Sequence, residues 1–482
     1  MILANKVSNN TDVVTIRFSG DSGDGMQLTG NQFSNTSAIF GNDLSTLPDF
    51  PAEIRAPQGT LYGVSSFQMQ FGDREIYTPG DDLDVLVAMN PAGLKVHLEE
   101  LKENGILIIN IDNFTPRNLK LAKWESNPIE DKKLLSKYKS ITVSMSTLVK
   151  TALEDFDLTP KEKMRSTNMF ALGLVYWLYE RDLEPTIDFL NKKFGKKPII
   201  AESNVKALKT GYYYGETIEV IKTTYKVDKA KFEKGSYRNI MGNHALSLGL
   251  VAASQKSDLE LFFGGYPITP ASDILKYLAN YKNFSIKTFQ AEDEISAITS
   301  VLGAAFAGNL AVTASSGPGI ALKGEAIGLG VITELPLIII NIQRGGPSTG
   351  LPTKTEQSDL FQAMYGRNGE CPCVVISASS PSDCFETAFE AARIAVEHMM
   401  PVILLSDGYI ANGSEPWKIP EVKKLPKIKN NLVKISNSNS FMPYKRNEKT
   451  LARDWAIPGI EGLEHRIGGL EKEDLSGNVS YD

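Results

Sequence analysis

Three acids stand side by side in Thr288-Phe289-Gln290-Ala291-Glu292-Asp293-Glu294-Ile295-Ser296-Ala297-Ile298. Carboxylates at a helix start meet the positive end of the helix dipole, which accounts for Glu292 and Asp293 as surface caps. Glu294 invites another reading. The helix it opens continues Ile295, Ala297, Ile298, Val301, Leu302, Ala304, Ala305, Phe306, apolar nearly all round and so expected to be buried. A carboxyl at the mouth of such a helix is expected to have a raised pKa and to need a polar partner. Those are properties of a group that transfers protons.

A second string, Gly264-Gly265-Tyr266-Pro267-Ile268-Thr269-Pro270-Ala271-Ser272-Asp273, follows an apolar run. Its two prolines force an extended approach, and Thr269 is placed to cap a helix beginning at Pro270. Taken alone, the string is a good helix start. Two more loops are rich in Gly and Pro. Ala314-Ser315-Ser316-Gly317-Pro318-Gly319 leads into a helix, and Gln343-Arg344-Gly345-Gly346-Pro347-Ser348-Thr349-Gly350-Leu351-Pro352-Thr353-Lys354 is long. Arg344, at a strand end, suits a bidentate carboxylate clamp, with a structural ion pair as the other reading. Lys354 and Glu356 read as an ordinary solvated pair.

Near the N-terminus, Gly20-Asp21-Ser22-Gly23-Asp24-Gly25 joins a strand to a helix. Glycines let the backbone approach a ligand, and a helix N-terminus offers free amides to an anion. The spacing is Gly-x-x-Gly-x-Gly, not the dinucleotide Gly-x-Gly-x-x-Gly, and two aspartates would repel a phosphate. An acidic ribose ligand about 20 residues on would be Asp43 or Asp49, and no clear second strand is read before either. NAD binding and an NAD-linked dehydrogenase are therefore disfavoured. A tight turn for packing or subunit contact, and contact of Gly20, Gly23 and Gly25 with CoA or another phosphorylated ligand, both stay open.

Loops of this kind need sheets to carry them. From about 12 to 220, strands are predicted at Val13–Phe18, Val64–Phe71, Leu83–Met89 and Ile106–Ile111. Helices are predicted at Met26–Phe40, Pro91–Leu101, Met169–Glu180 and Asn204–Val220. Residues 221–239 are Lys-rich and weakly periodic, a charged linker. From 240 to 430, six strands are predicted: Leu259–Phe263, Ile286–Phe289, Leu310–Ala314, Pro336–Ile342, Val374–Ala378 and Val402–Leu405. They alternate with helices at Ala271–Ala279, Glu294–Ala307, Gly319–Thr333, Glu356–Tyr365 and Asp383–His398. This is the grammar of two doubly wound α/β domains built on parallel sheets. Residues 431–482 read as an irregular tail, the opening of a further domain cut short. No short repeat or low-complexity block is present.

Composition narrows the classes. A net charge of -6 with scattered Lys and Arg argues against nucleic acid as a partner. The N-terminus lacks a signal-peptide pattern, and the apolar stretch Val331–Ile342 is too short to span a bilayer, so no membrane association is expected and the cytoplasm is the default location. Three cysteines, 371, 373 and 384, cannot ligate a four-cysteine cluster. Cys371-Pro372-Cys373 reads as core packing rather than a metal site, and no metal is assigned to the chain.

Together the four strings resemble the 2-oxoacid:ferredoxin oxidoreductase family. Tyr266-Pro267-Ile268-Thr269-Pro270 is similar to that family's hallmark. Gln290-Ala291-Glu292-Asp293-Glu294, Ser316-Gly317-Pro318-Gly319 and Arg344-Gly345-Gly346-Pro347-Ser348-Thr349-Gly350 resemble its 2-oxoglutarate branch. The resemblance extends to the N-terminal region and implies a γ-type Rossmann-like domain ahead of an α-type domain that binds the pyrimidine side of thiamine diphosphate. It implies that Glu294 meets N1′ of the aminopyrimidine. It places Tyr266, Pro267, Ile268, Ser316 and Gly317 against the cofactor, and Thr269, Arg344 and, less directly, Thr353 against the 2-oxoacid. Decarboxylation would send electrons to iron–sulfur clusters and the acyl group to CoA, with ferredoxin as acceptor. The family's Gly-Asp-Gly…Asn diphosphate motif and its cluster cysteines are missing. The resemblance thus implies a β-type partner that holds the diphosphate, Mg²⁺ and the cluster. A relative specific for pyruvate or branched-chain 2-oxoacids, and a non-catalytic CoA- or nucleotide-binding protein of the same fold, are the competing expectations.

Overall fold

The computed structural model describes residues 7–52, 56–218, 223–433 and 441–481. The chain divides into two compact units, Met1–Asn239 and Ile240–Asp482.

In the first unit, strands β1 (Val7–Asn10), β2 (Val13–Asp21), β3 (Asp43–Asp49), β4 (Val64–Gly72), β5 (Leu83–Ala88), β6 (Leu101–Asn110), β7 (Lys139–Val143) and β8 (Thr223–Lys226) form two sheets. The larger has the order β3-β4-β2-β5-β6-β7. Its strands run parallel except β4, which is antiparallel to both β2 and β3. β1 and β8 pair in parallel as a separate ribbon, so part of the expected linker is strand. The edge strand β3 escapes sequence reading because its core-facing Leu44 is followed by Ser45, Thr46 and then Pro48, and edges tolerate proline. β4 lies between β2 and β3. Asp49, at the end of β3, is therefore two strands from the Gly loop, roughly 10 Å away, which removes the dinucleotide arrangement.

Helix α1 (Met26–Phe40) follows the Gly loop. Helix α2 (Pro91–His97) stops short of the predicted Leu101, where β6 begins. Helix α3 (Thr167–Leu178), all twelve residues of it buried, crosses α4 (Pro198–Thr217) with almost no side-chain space between them. A Cβ on Gly173 would come within 2.0 Å of the Leu208 carbonyl oxygen, and one on Gly211 within 2.0 Å of that of Phe170. Only glycine permits that approach of two backbones.

The second unit opens with α5 (Gly242–Ser257), a helix too poor in charge to show a polar face in sequence. Its sheet comprises β9 (Leu261–Gly265), β10 (Ile286–Gln290), β11 (Leu310–Ser315), β12 (Leu337–Gln343), β13 (Val374–Ser377) and β14 (Pro401–Asp407). The order is β10-β9-β11-β12-β14-β13, parallel throughout. Every residue of β11, β12 and β14 is buried, as both covered faces of a parallel sheet require. The helices after α5 are α6 (Ser272–Asn280), α7 (Glu294–Phe306), α8 (Gly317–Leu322), α9 (Gly324–Ile332), α10 (Leu360–Tyr365), α11 (Asp383–His398) and the short α12 (Gly408–Asn412). The expected Gly319–Thr333 helix is thus two pieces that meet at Lys323. The expected Glu356–Tyr365 helix begins only at Leu360.

The segment after 430 has little regular structure but is packed into this unit. Trp455 and Arg453 are fully buried; Trp455 Nε1 donates to the Ala305 carbonyl at 3.0 Å. Among the described residues no helix is long and apolar enough to cross a membrane.

Candidate functional site

Strand order creates the site. The chain passes from β9 outward to β10, then returns to the other side of β9 as β11. The loops after β9 and β11 diverge at that reversal, where parallel α/β sheets hold ligands. The loop after β9 carries Tyr266–Pro270, and the loop after β11 carries Ser316–Gly319.

Glu294 starts α7 one residue after the loop from β10. Asp293 is the N-cap, accepting from Ser296 N at 2.7 Å, and Glu292 accepts from the Ser296 hydroxyl at 3.0 Å. Both caps are exposed, whereas Glu294 is 8% exposed. Its carboxyl accepts no hydrogen bond from the described residues. The helix is less enclosed than its composition suggests: Ile295 is half exposed.

The Ser316–Gly319 turn packs directly on this carboxyl. A Cβ on Gly319 would stand 3.0 Å from Glu294 Oε1, 2.8 Å from its Cγ and 2.0 Å from Ser315 Oγ. The glycine is needed for close approach, not for an unusual φ. Behind Gly317 lies Asp359, whose Oδ2 accepts from Asn341 Nδ2 at 2.9 Å and whose backbone N–H donates to Gln343 Oε1 at 2.9 Å.

Arg344 leaves the end of β12. Its guanidinium donates to the Thr269 carbonyl at 2.8 Å and the Thr349 carbonyl at 3.2 Å, which ties the β9 loop to the β12 loop. Among the described residues it forms no ion pair at hydrogen-bond distance, although the Glu294 charge acts on it; burial lowers its pKa. The β12 loop closes on itself through Leu351 N to Gly345 O at 2.8 Å and Gly345 N to Lys354 O at 3.0 Å. Glu356 accepts from Gly346 N at 2.8 Å, so it is more than half of a solvated pair.

Thr269 does not cap a helix as expected. Helix α6 starts at Ser272, Ala271 stands at the N-cap without a side-chain bond, and the Thr269–Pro270 peptide is cis. That leaves the exposed Thr269 hydroxyl outside the helix. Tyr266 and Pro267 are exposed, Ile268 is half-buried, and Thr353 is half-buried in the closed loop.

Among the described residues, four buried atoms lacking partners lie together here: Ser315 Oγ, Ser316 Oγ, Asn341 Oδ1 and Arg344 Nε, at the C-terminal ends of β11 and β12. Buried polar groups are normally satisfied, so a cluster of exceptions marks a place for a polar ligand. The inventory is a carboxyl at 294, a glycine-floored turn and hydroxyls around it.

Sequence reading missed Lys323, which is fully buried and donates from Nζ to the Glu294 carbonyl at 2.9 Å. One lysine in an apolar helical run looks like a solvated position. It also missed Asn341 and Asp359, whose strand and loop positions give no periodic signal.

The Gly loop of the first unit is built differently. Asp24 Oδ2 accepts from Asp21 N at 2.8 Å and from Asn90 Nδ2 at 3.3 Å, and Asp21 accepts from Gly59 N at 3.0 Å. The aspartates close the loop on itself, and Gly25 takes a left-handed φ of 77° before α1. A polar cleft of about 300 Å³ lies beside it, lined by Asp21, Asp24, Asn90 and Arg117 among others. Burial pushes the Asp24 carboxyl up to about 6.

Cys371 and Cys373 are half-buried, and burial pushes the Cys373 thiol up to about 11. Among the described residues no cluster of three or more His, Cys, Asp or Glu is placed to hold a metal ion.

A strand-order reversal with a buried glutamate against a glycine turn defines a parallel α/β ligand-binding unit. The sequence comparisons agree. Residues 256–480 match the family model described as pyruvate flavodoxin/ferredoxin oxidoreductase, thiamine-diphosphate-binding, and residues 15–214 match that described as pyruvate ferredoxin/flavodoxin oxidoreductase. The 2-oxoglutarate oxidoreductase subunit KorA of Mycobacterium tuberculosis is 58% identical over 97% of this chain and 71% of its own length. The 2-oxoacid:ferredoxin oxidoreductase 1 subunit alpha of Aeropyrum pernix is 28% identical over 85% of this chain and 68% of its own. A solved structure, 2-oxoglutarate:ferredoxin oxidoreductase from Magnetococcus marinus with 2-oxoglutarate, coenzyme A and succinyl-CoA bound, matches 98% of this chain and 76% of that one. Its TM-score is 0.82 at 29% identity. The chain belongs to the 2-oxoacid:ferredoxin oxidoreductase family and is an α-type subunit of that enzyme class.

Proposed function

We propose that the chain, joined to a β-type subunit in the cytoplasm, oxidatively decarboxylates 2-oxoglutarate in preference to other 2-oxoacids, giving the acyl-CoA and CO₂ with reduction of ferredoxin, or runs the reverse reaction. The observation that carries this reading is the buried Glu294 carboxyl, without a protein partner, against the Gly319 turn at the strand-order reversal. Thiamine diphosphate, when bound, supplies the carbanion chemistry. Glu294 holds or releases a proton at the ring nitrogen it faces, Ser316 and Gly317 seat the ring, and Tyr266, Pro267 and Ile268 border it. Arg344 has a buried Nε without a partner, and the Thr269 hydroxyl is uncommitted to a helix. Both suit the substrate's 1-carboxylate and 2-oxo group, with Thr353 nearby in sequence. Contact of Gly20, Gly23 and Gly25 with CoA would involve the neighbouring cleft, whose lining includes Asp21, Asp24 and Arg117.

The diphosphate, Mg²⁺ and the iron–sulfur cluster are assigned to the partner subunit. Support for a partner comes from exposed Tyr266, Phe289, Ile295, Leu351, Phe361 and Tyr365, all in segments at or after C-terminal strand ends. Apolar surface concentrated near a site marks an interaction face. A second substrate carboxylate calls for a further cation, which that partner would supply.

The test is to purify the chain with its β-type partner and assay 2-oxoglutarate, pyruvate and branched-chain 2-oxoacids with CoA and a low-potential acceptor. The expected result is the highest kcat/KM for 2-oxoglutarate. A preference for pyruvate would overturn the substrate assignment, and no turnover of any 2-oxoacid would overturn the reading as a whole.

A further inference from the structure

Lys323 is the one buried cation near the site that the chemistry above does not use. It sits at the joint between α8 and α9, fully buried, with Nζ 2.9 Å from the Glu294 carbonyl oxygen. A buried ammonium is costly unless charge and hydrogen bonds offset it. The charges that act on it are those of Glu294 and Asp293, both at the start of α7. α9 adds Glu325 at its first turn, β12 carries no charged residue, and β14 ends in Asp407. Arg344 approaches Glu294 from the end of β12, so the same carboxyl lies in the field of two cations.

We propose that Lys323 is a positioning residue for Glu294, its ammonium anchoring the first residue of α7 and supplying the counter-charge that the carboxyl faces inside the protein. The inference rests on the reading of Glu294 as the proton-transfer group. A tie between two helices would require only a hydrogen bond, which a neutral side chain could provide; a buried cation bonded to the backbone of Glu294 and acted on by that residue's carboxyl charge does more. Burial lowers the Lys323 pKa from 10.5 to about 8, with the Glu294 charge opposing the shift. The ammonium is therefore lost on the alkaline side of neutrality, and the counter-charge with it.

Linkage gives the two consequences opposite signs. The folded chain releases this proton near pH 8, and the unfolded chain releases it only near 10.5. Between those values the unfolded state binds more protons, so the group's contribution to stability rises with pH. Over the same window turnover falls, because the charge facing Glu294 disappears. A purely structural lysine would move stability alone.

The experiment is ¹⁵N-lysine NMR on the full chain, with the Lys323 Nζ resonance assigned by its loss in Lys323→Arg, which keeps a cation at the buried position. Wild type is then compared with Glu294→Gln. Removing a facing carboxylate should lower the Lys323 titration midpoint by about one unit or more. In the complex with the β-type partner, Lys323→Met should lose the alkaline limb of the kcat profile and about tenfold in plateau kcat. Lys323→Arg should restore part of it. A Lys323 midpoint unmoved by Glu294→Gln, with that variant inactive, overturns the positioning role and leaves the function standing. A Glu294→Gln complex as active as wild type overturns both. The lysine titration does not depend on turnover, so it decides the matter even where Lys323→Met fails to fold.

Discussion

The two units present the same device with opposite finish. Each has a parallel-type sheet with a strand-order reversal, and at each reversal a glycine-bearing loop leads from a strand into a helix. In the first unit, Asp24 accepts from the Asp21 amide and from Asn90, and Asp21 accepts from the Gly59 amide. In the second, Ser315, Ser316 and Arg344 leave buried polar atoms without partners, and Glu294 keeps its carboxyl uncommitted. A loop whose acidic side chains are bonded by their neighbours is built as a structural joint, even with Asn168 Oδ1 and Gln27 Oε1 unpartnered beside it. An unsatisfied one holds its polar groups in place for something else, and that readiness is maintained against the cost of burying them.

Perturbing the two loops should therefore give different kinds of effect. Glu294→Gln should lower turnover by at least ~10²-fold, the scale of a lost general acid or base, with little change in the unfolding midpoint. Steady-state kinetics beside thermal melts checks this, and turnover close to wild type would take Glu294 out of the mechanism. Arg344→Ala should cost about 1.5–3 kcal/mol in kcat/KM, as for a charged hydrogen bond. An unchanged kcat/KM with a lowered melting point would make the guanidinium only a tie between the β9 and β12 loops.

Gly319→Ala forces a methyl against Ser315 Oγ and Glu294 Cγ, at 2.0 and 2.8 Å before relaxation. Overpacking of that kind costs about 1–3 kcal/mol. If the turn exists to hold Glu294, kcat should fall more than stability does. The reverse split, read from kcat and denaturant midpoints, would make Gly319 a packing residue.

The smallest effect is expected in the first unit. Asp24 has its pKa raised from 3.8 to about 6 by burial, so the fold favours its protonated form. The stabilisation this group contributes is present below the unfolded value and lost as pH rises through about 6. Asp24→Asn should remove that dependence. The stability of wild type relative to the variant should drop by about 1–2 kcal/mol between pH 4 and 7, measured by urea unfolding. Turnover is expected to change little, and a large loss would mean that the first unit's loop is also a working site.

All six strands of the second sheet were legible in sequence, most plainly where a strand buried on both faces leaves an apolar run such as Leu337–Ile340. The edge strand Asp43–Asp49 was not, since its face is half polar and carries a proline. Helix Gly242–Ser257 was missed because it is packed closely against Asp383–His398, where a Cβ on Gly249 would come within 2.3 Å of the Phe385 carbonyl oxygen. A helix enclosed in this way has no amphipathic stripe to read. Thr269 misled for a local reason: Thr-Pro before a helix usually caps it, but here the helix starts two residues after Pro270.

The order of residue types along the chain was enough to determine the second sheet, the four inner strands of the first, the loops at their ends and the candidate identities of Glu294, Thr269 and Arg344, because hydrophobic period and turn chemistry act over short distances; the edge strands Asp43–Asp49 and Lys139–Val143 lay beyond it. Only the tertiary structure decided which polar atoms stay unsatisfied, that Gly319 lies on Glu294, and that Lys323 stands beneath it. Those depend on strand order and on the meeting of segments far apart in the chain, and a linear pattern carries no record of which neighbour desolvates a charge.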